Sequence, residues 1–219
     1  MKPLLFLFDI DGTLLHTKGA GLCAFKQAAE EVVGYALRFR KSHFAGKVDY
    51  LIFKALFDNR PPSGKTLPDA WTDFKSRYLA YLTEVAKTPE DWIVYPGVRE
   101  FLERIHGTHY CALLTGNLQQ GAKIKLSAVD LWRYFSCGGF GDGGESREAV
   151  AEKALAEARQ YYPNGFSGVW VVGDTVHDVR CGKHIGAKTL AVRTGFSAPG
   201  ELESADADEV VECLTDFTV

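Results

Sequence analysis

Apolar runs and helical stripes alternate along this chain. Leu4 to Phe8 is an unbroken apolar run that turns abruptly acidic at Asp9 and Asp11. A run of that length, bounded by Asp and Gly, predicts a strand buried on both faces, as in a parallel sheet. Tyr110 to Thr115, Gly168 to Asp174 and Thr189 to Val192 predict further inner strands. Tyr134 to Cys137 predicts a short strand, and Val210 with Val211 a weak edge strand. Helical spacing joins Leu22, Phe25, Ala29, Val32 and Val33, then Val48, Leu51, Ile52, Ala55 and Leu56. The loop from Arg60 to Pro68 follows, and after it a longer stripe through Trp71, Phe74, Tyr78, Tyr81, Leu82 and Val85. Later helices are predicted over Val98–Ile105, about Gln119–Val129, Ala149–Ala158 and Val179–Ile185, with Gly107 as a stop.

Strands alternating with helices imply right-handed crossovers and an α/β parallel sheet. The stretch from 16 to 91 contains three helical patterns and no strand pattern. It is expected to be a compact helical insertion after the first strand, splitting a core of residues 1–15 and 92–219. That position would lay it over the acidic end of the first strand.

The candidate chemistry sits at strand ends, where open α/β sheets bind ligands. Asp9 and Asp11 close the first strand, with Gly12 allowing a sharp turn and Thr13 able to bond back to the backbone. Two carboxylates so close stay ionised together only if a cation or bound proton compensates. A hard divalent ion held by oxygen ligands fits; solvated acids on a capped strand end are the plainer reading. Thr115-Gly116-Asn117 ends the second strand, and Gly173-Asp174-Thr175-Val176-His177-Asp178 the third. Taken singly, Thr115 also reads as a strand-end hydroxyl in a local turn, and Asp178 as a helix-capping acid.

These three motifs, in this order and each after a strand, resemble the signatures of the haloacid dehalogenase-like hydrolases in their phosphatase form. The resemblance implies a Rossmann-like core with an α-helical cap. It implies Asp9 as nucleophile forming an aspartyl-phosphate, and Asp11 as general acid and then base, with a pKa raised towards neutrality. Thr115, with Gly116 and Asn117, would hold phosphoryl oxygens. Mg2+ would be held by Asp9, Asp174, Asp178 and Asp11, the last through its backbone carbonyl. The family also places a cation opposite the phosphoryl group, usually Lys. No Lys-Pro stands in the expected loop here. Arg147 in Gly144-Glu145-Ser146-Arg147 is the preferred substitute, with Lys153 and Lys123 as alternatives. A helical cap at this position resembles phosphoglycolate phosphatases and related small-metabolite phosphatases, so the expected partner is a small phosphorylated metabolite. A dehalogenase, a hexose-phosphate mutase and a catalytically idle binding module are the alternatives. Asp11 argues against the first, Thr-Gly-Asn against the second, and the full acid set against the third.

Within the insertion, His16, Lys18, Lys47 and Asp49 lie where they could face a pocket. Lys47 is the candidate for gripping an anionic end, or else a solvated Lys at a helix start. The aromatic stripe from Trp71 to Tyr81 reads as cap core. His177 reads as a surface or supporting residue rather than a catalyst. The net charge of −3 gives no basic footprint for nucleic acid. Five scattered cysteines without a Cys-x-x-Cys pair point to neither a disulfide framework nor a zinc site, and a reducing cytoplasm is expected. The opening apolar run is too short for a signal peptide, and no stretch has the length to span a membrane. A monomer or homodimer is expected.

Overall fold

The computed structural model describes residues 2–38, 44, 46–143 and 146–219. The chain runs through β1 (Leu4–Phe8), β2 (Leu15–His16), α1 (Ala20–Val33), α2 (Asp49–Asn59), α3 (Leu67–Val85) and β3 (Ile93–Val94). It continues through α4 (Val98–Ile105), β4 (Tyr110–Leu114), α5 (Gln119–Ala128), β5 (Gly138–Gly139) and α6 (Arg147–Tyr161). It closes with β6 (Gly168–Gly173), α7 (Val176–His184), β7 (Lys188–Val192), α8 (Glu201–Ser204) and β8 (Glu209–Val211).

Six strands form one parallel sheet in the order β5-β4-β1-β6-β7-β8. The order reverses beside β1, so the C-terminal ends of β1, β4 and β6 flank the crevice where such sheets bind ligands. β1 shows why its sequence is continuously apolar. Phe6 and Phe8 point into one layer with Phe101, Leu102 and Ile105 of α4, and with Ala122 and Leu126 of α5. Leu5 and Leu7 point into the other layer with Val150, Ala154 and Ala158 of α6 and Cys181 of α7. These four side chains of β1 are fully buried, each stabilising the fold by about 1.5–3 kcal/mol.

The helices α1–α3 share a separate apolar cluster. Phe74 is its centre, 4.7 Å from Phe25, 4.6 Å from Phe53 and 5.3 Å from Trp71 between ring centroids. Leu118, just before α5, joins this cluster. The antiparallel pair β2–β3 ties Leu15 to Val94 where the chain leaves and re-enters the sheet region.

Local differences from the sequence pattern have physical causes. Tyr134–Cys137 is not a strand; Trp132–Tyr134 forms a single 3-10 turn with Tyr134 buried, and the strand is Gly138–Gly139. A Cβ on Gly139 would lie 2.3 Å from the Val150 carbonyl. The strand exists because its backbone packs where side chains cannot, which an apolar pattern does not reveal. Pro68 lies in the first turn of α3 rather than in a loop, with Thr66 as the N-cap; proline tolerates that position because its missing N–H has no partner there anyway.

Candidate active site

The loops after β1, β4 and β6 converge, as their sheet positions require. Asp9, Asp174 and Asp178 are buried, and one carboxylate oxygen from each lies within 4.8 Å of the others. Arg147, the first residue of α6, enters the cluster from the side. Its Nη2 lies 3.0 Å from Asp9 Oδ1 and 2.6 Å from Asp178 Oδ1. Its Nε is buried without a partner among the described residues, and its Nη1 would lie 3.1 Å from a Cβ on Gly116. Lys153 and Lys123, the other sequence candidates, are exposed on α6 and α5.

Three clustered carboxylates, with one guanidinium beside Asp9 and Asp178, leave an excess of buried negative charge. Burial pushes Asp9 up to about 6, with Asp178 and Asp11 adding repulsion and Arg147 opposing it. Burial also pushes Asp174 well above the carboxylate range, reinforced by Asp178 and Asp9. The guanidinium stays charged, because attraction to Asp9 and Asp178 outweighs its own desolvation. Oxygen-only ligands with surplus negative charge are the donor set a hard divalent cation prefers. These residues therefore fit Mg2+.

The backbone around Asp174 is built to admit that carboxyl group. Thr13 Oγ1 donates to its Oδ1 at 3.1 Å and the Phe196 N–H to its Oδ2 at 2.8 Å. A Cβ on Gly12 would lie 2.3 Å, and one on Gly195 1.8 Å, from Asp174 Oδ2. Thr194 Oγ1 donates to the Gly12 carbonyl at 2.7 Å. The 194–196 loop after β7 is thus a fourth part of the site, not anticipated from sequence; a Thr-Gly pair directly after a buried strand was the available signal. Asp178 bears out its reading as a helix-capping acid. It is the N3 acid of a capping box with Thr175 on α7, and its other oxygen holds Arg147.

Asp11 is separate from the acidic cluster. Its side chain, one-third exposed, accepts from Lys125 Nζ at 2.6 Å and from Asn117 Nδ2 at 2.8 Å. Lys125 is itself buried and also donates to Asn117 Oδ1 at 2.7 Å. Sequence reading missed Lys125, although a Lys on the apolar stripe of α5, in register with Leu118 and Ala122, marks a buried cation in need of an acid. Thr115 is fully buried and its Oγ1 accepts from the Asn117 amide nitrogens at 3.3 and 2.8 Å. With its acceptor capacity so used, the hydroxyl proton is left to donate.

Residues 46–49 lie directly on these loops. A Cβ on Gly116 would be 2.0 Å from the Lys47 carbonyl, and one on Gly46 2.6 Å from the His177 ring. The Asp49 N–H donates to the Gly116 carbonyl at 2.9 Å, and Asp49 Oδ2 accepts the Leu118 N–H at 3.1 Å. His177 is half-buried, and burial lowers its ring pKa. One cavity of about 280 Å³ opens here, lined by Asp9, Asp11, Thr115, Gly116, Asn117 and Arg147 on one side. Lys47, Asp49, Phe25, Ile52 and Tyr78 line the other, with His16, Lys18 and Phe196 also at its wall. Gly144 and Glu145 lie outside the described residues, as do 39–41 of the basic stretch from Arg38 to Lys41 and Ala45 in the 44–47 segment.

A family model described as haloacid dehalogenase-like hydrolase matches residues 6–183. The chain is similar to a probable phosphatase, IndB, of Dickeya dadantii (strain 3937), 26% identical over 99% of this chain and 92% of that protein. Its fold is similar to that of a hydrolase from Pseudomonas syringae, with a TM-score of 0.73, 22% identity, and 99% of this chain and 95% of that one covered. It is similar as well to CbbY from Rhodobacter sphaeroides in complex with phosphate, with a TM-score of 0.72, 19% identity, and coverage of 99% and 96%. Among the described residues, no helix is long and apolar enough to cross a membrane.

Proposed function

Because this chain belongs to the haloacid dehalogenase-like hydrolase family, we propose that it is a Mg2+-dependent phosphatase acting on a small phosphorylated metabolite through an aspartyl-phosphate on Asp9. The observation that carries this reading is the buried cluster of Asp9, Asp174 and Asp178, with Arg147 against Asp9 and Asp178, whose Asp9 and Arg147 open to a cavity that Asp11 and Thr115 also line. The name of the Dickeya relative and the phosphate in the CbbY structure support it.

An Asp9 oxygen attacks phosphorus, forming an O–P bond as the bond to the leaving oxygen breaks. Asp11 gives its proton to that oxygen. Asp11 then takes a proton from a water molecule that attacks phosphorus, releasing phosphate and restoring Asp9. Arg147 Nη1, the Thr115 hydroxyl and the Gly116 N–H receive the phosphoryl oxygens. Asn117 contributes through its grip on Asp11, and Lys47 adds positive charge at the cavity wall that draws an anionic ester inward. Asp9, Asp174 and the Asp11 carbonyl would hold Mg2+, with Asp178 behind them; the ion supplies charge neutralisation at the transferring group. The 16–91 insertion serves as the cap that excludes water and selects the substrate. A phosphoglycolate-like ester is the model substrate, on the likeness of cap and fold alone.

Hydrolysis of p-nitrophenyl phosphate with Mg2+ tests this. The wild-type chain turns over, and Asp9→Asn, checked for deamidation, loses at least about a thousandfold in kcat. Full activity in that variant would overturn the assignment of Asp9.

A further inference from the structure

The phosphoryl chemistry accounts for one wall of the cavity and leaves the opposite wall unexplained. That wall is mostly apolar, with Phe25 and Ile52 side by side with Leu22 and Phe44. Besides the exposed Lys47, two buried polar groups of α2 and α3 interrupt it. Asp49 is 8% exposed, and Tyr78 is 2% exposed. Both line the cavity.

Asp49 is fixed in place. Its backbone N–H donates to Gly116, and one carboxylate oxygen accepts from Leu118. The second oxygen makes no hydrogen bond among the described residues. Capping the start of α5 needs an acceptor there but not a charge, and Ser, Thr or Asn would serve as well. A carboxylate kept in an apolar wall with one oxygen unpaired costs free energy unless something else pairs with it. The Tyr78 hydroxyl likewise makes no hydrogen bond among the described residues, although its ring packs tightly on Phe74 and Phe25. Phe would pack there as well, so the hydroxyl is extra chemistry on a residue otherwise explained by the core. Both groups come from α2 and α3 rather than from the loops that carry the reactive carboxylates, and both line the same cavity as those carboxylates.

We propose that Asp49 and the Tyr78 hydroxyl are specificity-determining residues that recognise a hydrogen-bond donor, amino or hydroxyl, on the leaving group, whose carbon skeleton packs on Phe25 and Ile52. The inference rests on the phosphatase reading and narrows it to monoesters of small alcohols that carry such a donor on a partly apolar body. The donor pairs with the open Asp49 oxygen and supplies the hydrogen bond that this buried carboxylate lacks. An analogue of the same shape without the donor leaves it unpaired, which is the condition under which protein sites discriminate most strongly.

The test uses the full chain with Mg2+ and three matched series of short monophosphates: ω-aminoalkyl, ω-hydroxyalkyl and alkyl. Varying the chain length removes the need to know the reach in advance. For at least one length, an amino or hydroxyl ester is expected to exceed its alkyl isostere by at least about tenfold in kcat/KM. The arm that wins identifies the donor. In Asp49→Asn, which keeps an acceptor for Leu118, and in Tyr78→Phe, which keeps the ring, that preference falls by about tenfold or more. The ratio between the two esters is the readout, so a general loss of activity does not imitate the result. Hydrolysis of p-nitrophenyl phosphate by the wild-type chain is the separate control. If that ester is cleaved but alkyl esters match or beat their donor-bearing isosteres at every length, the proposal falls and the phosphatase reading stands. If donor preference survives unchanged in both variants, other residues recognise the donor and the proposal also falls. If no phosphate ester is cleaved, the underlying reading itself fails.

Discussion

Arg147 and Asp49 show how single buried charges decide the behaviour of this site. Arg147 is the one cation within reach of both Asp9 and Asp178 among the described residues. Removing it leaves buried carboxylates uncompensated, a change that costs about 3–5 kcal/mol when one partner of a buried pair is deleted. Arg147→Met is therefore expected to lower the unfolding free energy of the metal-free protein by that amount, read as a lower denaturant midpoint. Mg2+ should raise the midpoint more in the variant than in the wild type, because a cation in the cluster replaces part of the lost charge. Equal metal-free midpoints would contradict this role. Asp49 behaves in the opposite sense. Burial raises it from 3.8 to about 7, the nearby Asp11 and Asp142 add repulsion, and Lys125 and the Leu118 N–H oppose the rise. A carboxylate with a raised folded-state pKa holds its proton more tightly when folded, so its ionisation destabilises the fold. That handicap is absent below about pH 4, grows as pH rises, and is complete above about pH 7. Asp49→Asn should accordingly be more stable than the wild type at pH 8, by about 1–3 kcal/mol. The difference should close towards pH 4, measured by urea unfolding across that range. A variant less stable at pH 8 would contradict the assignment of a buried, strained charge.

The motif-bearing loops were legible in the sequence because each follows a short apolar run, and a run of that kind has only one way to be buried in a parallel sheet. β1, β4, β6 and β7 follow directly from their side chains. The elements that were not legible lack such a pattern. Gly138–Gly139 is a strand by close backbone approach, β2 and β3 are too short to show a period, and α8 is a single turn. The same limit hid the 194–196 loop, whose contact with Asp174 is a backbone N–H and a glycine without a side chain. Lys125 was hidden for another reason: its acid, Asp11, is distant in sequence, and Asn117 lies in the loop before α5 rather than on the helix. The 194–196 loop provides a direct check. A Cβ at position 195 meets the Asp174 carboxyl head-on, so Gly195→Ala should displace that carboxyl while leaving the sheet intact. Mg2+ is expected to activate this variant with a half-saturating concentration raised by about tenfold or more, at an unchanged far-ultraviolet circular dichroism spectrum. An unaltered Mg2+ dependence would remove Asp174 from the proposed ion site.

Two parts of the molecule meet at one cavity: the sheet with its flanking helices supplies the reactive groups, and α1–α3 supply the facing wall. The 46–49 segment joins them, with the backbone of Lys47 and Asp49 resting on Gly116. On the proposed reading, the insertion covers the reaction and reads the leaving group. The chemistry itself turns on whether Asp9 carries the phosphoryl group between substrate and water. Asp11→Asn isolates that step with p-nitrophenyl phosphate, because p-nitrophenolate leaves without protonation whereas water still needs a base. Rapid mixing of this variant with substrate and Mg2+, acid quenching, borohydride reduction and peptide mapping read the outcome. A burst of p-nitrophenolate with conversion of residue 9 to homoserine is the expected result. Linear release without a burst, or reduction at any other aspartate, would contradict phosphoryl transfer to Asp9.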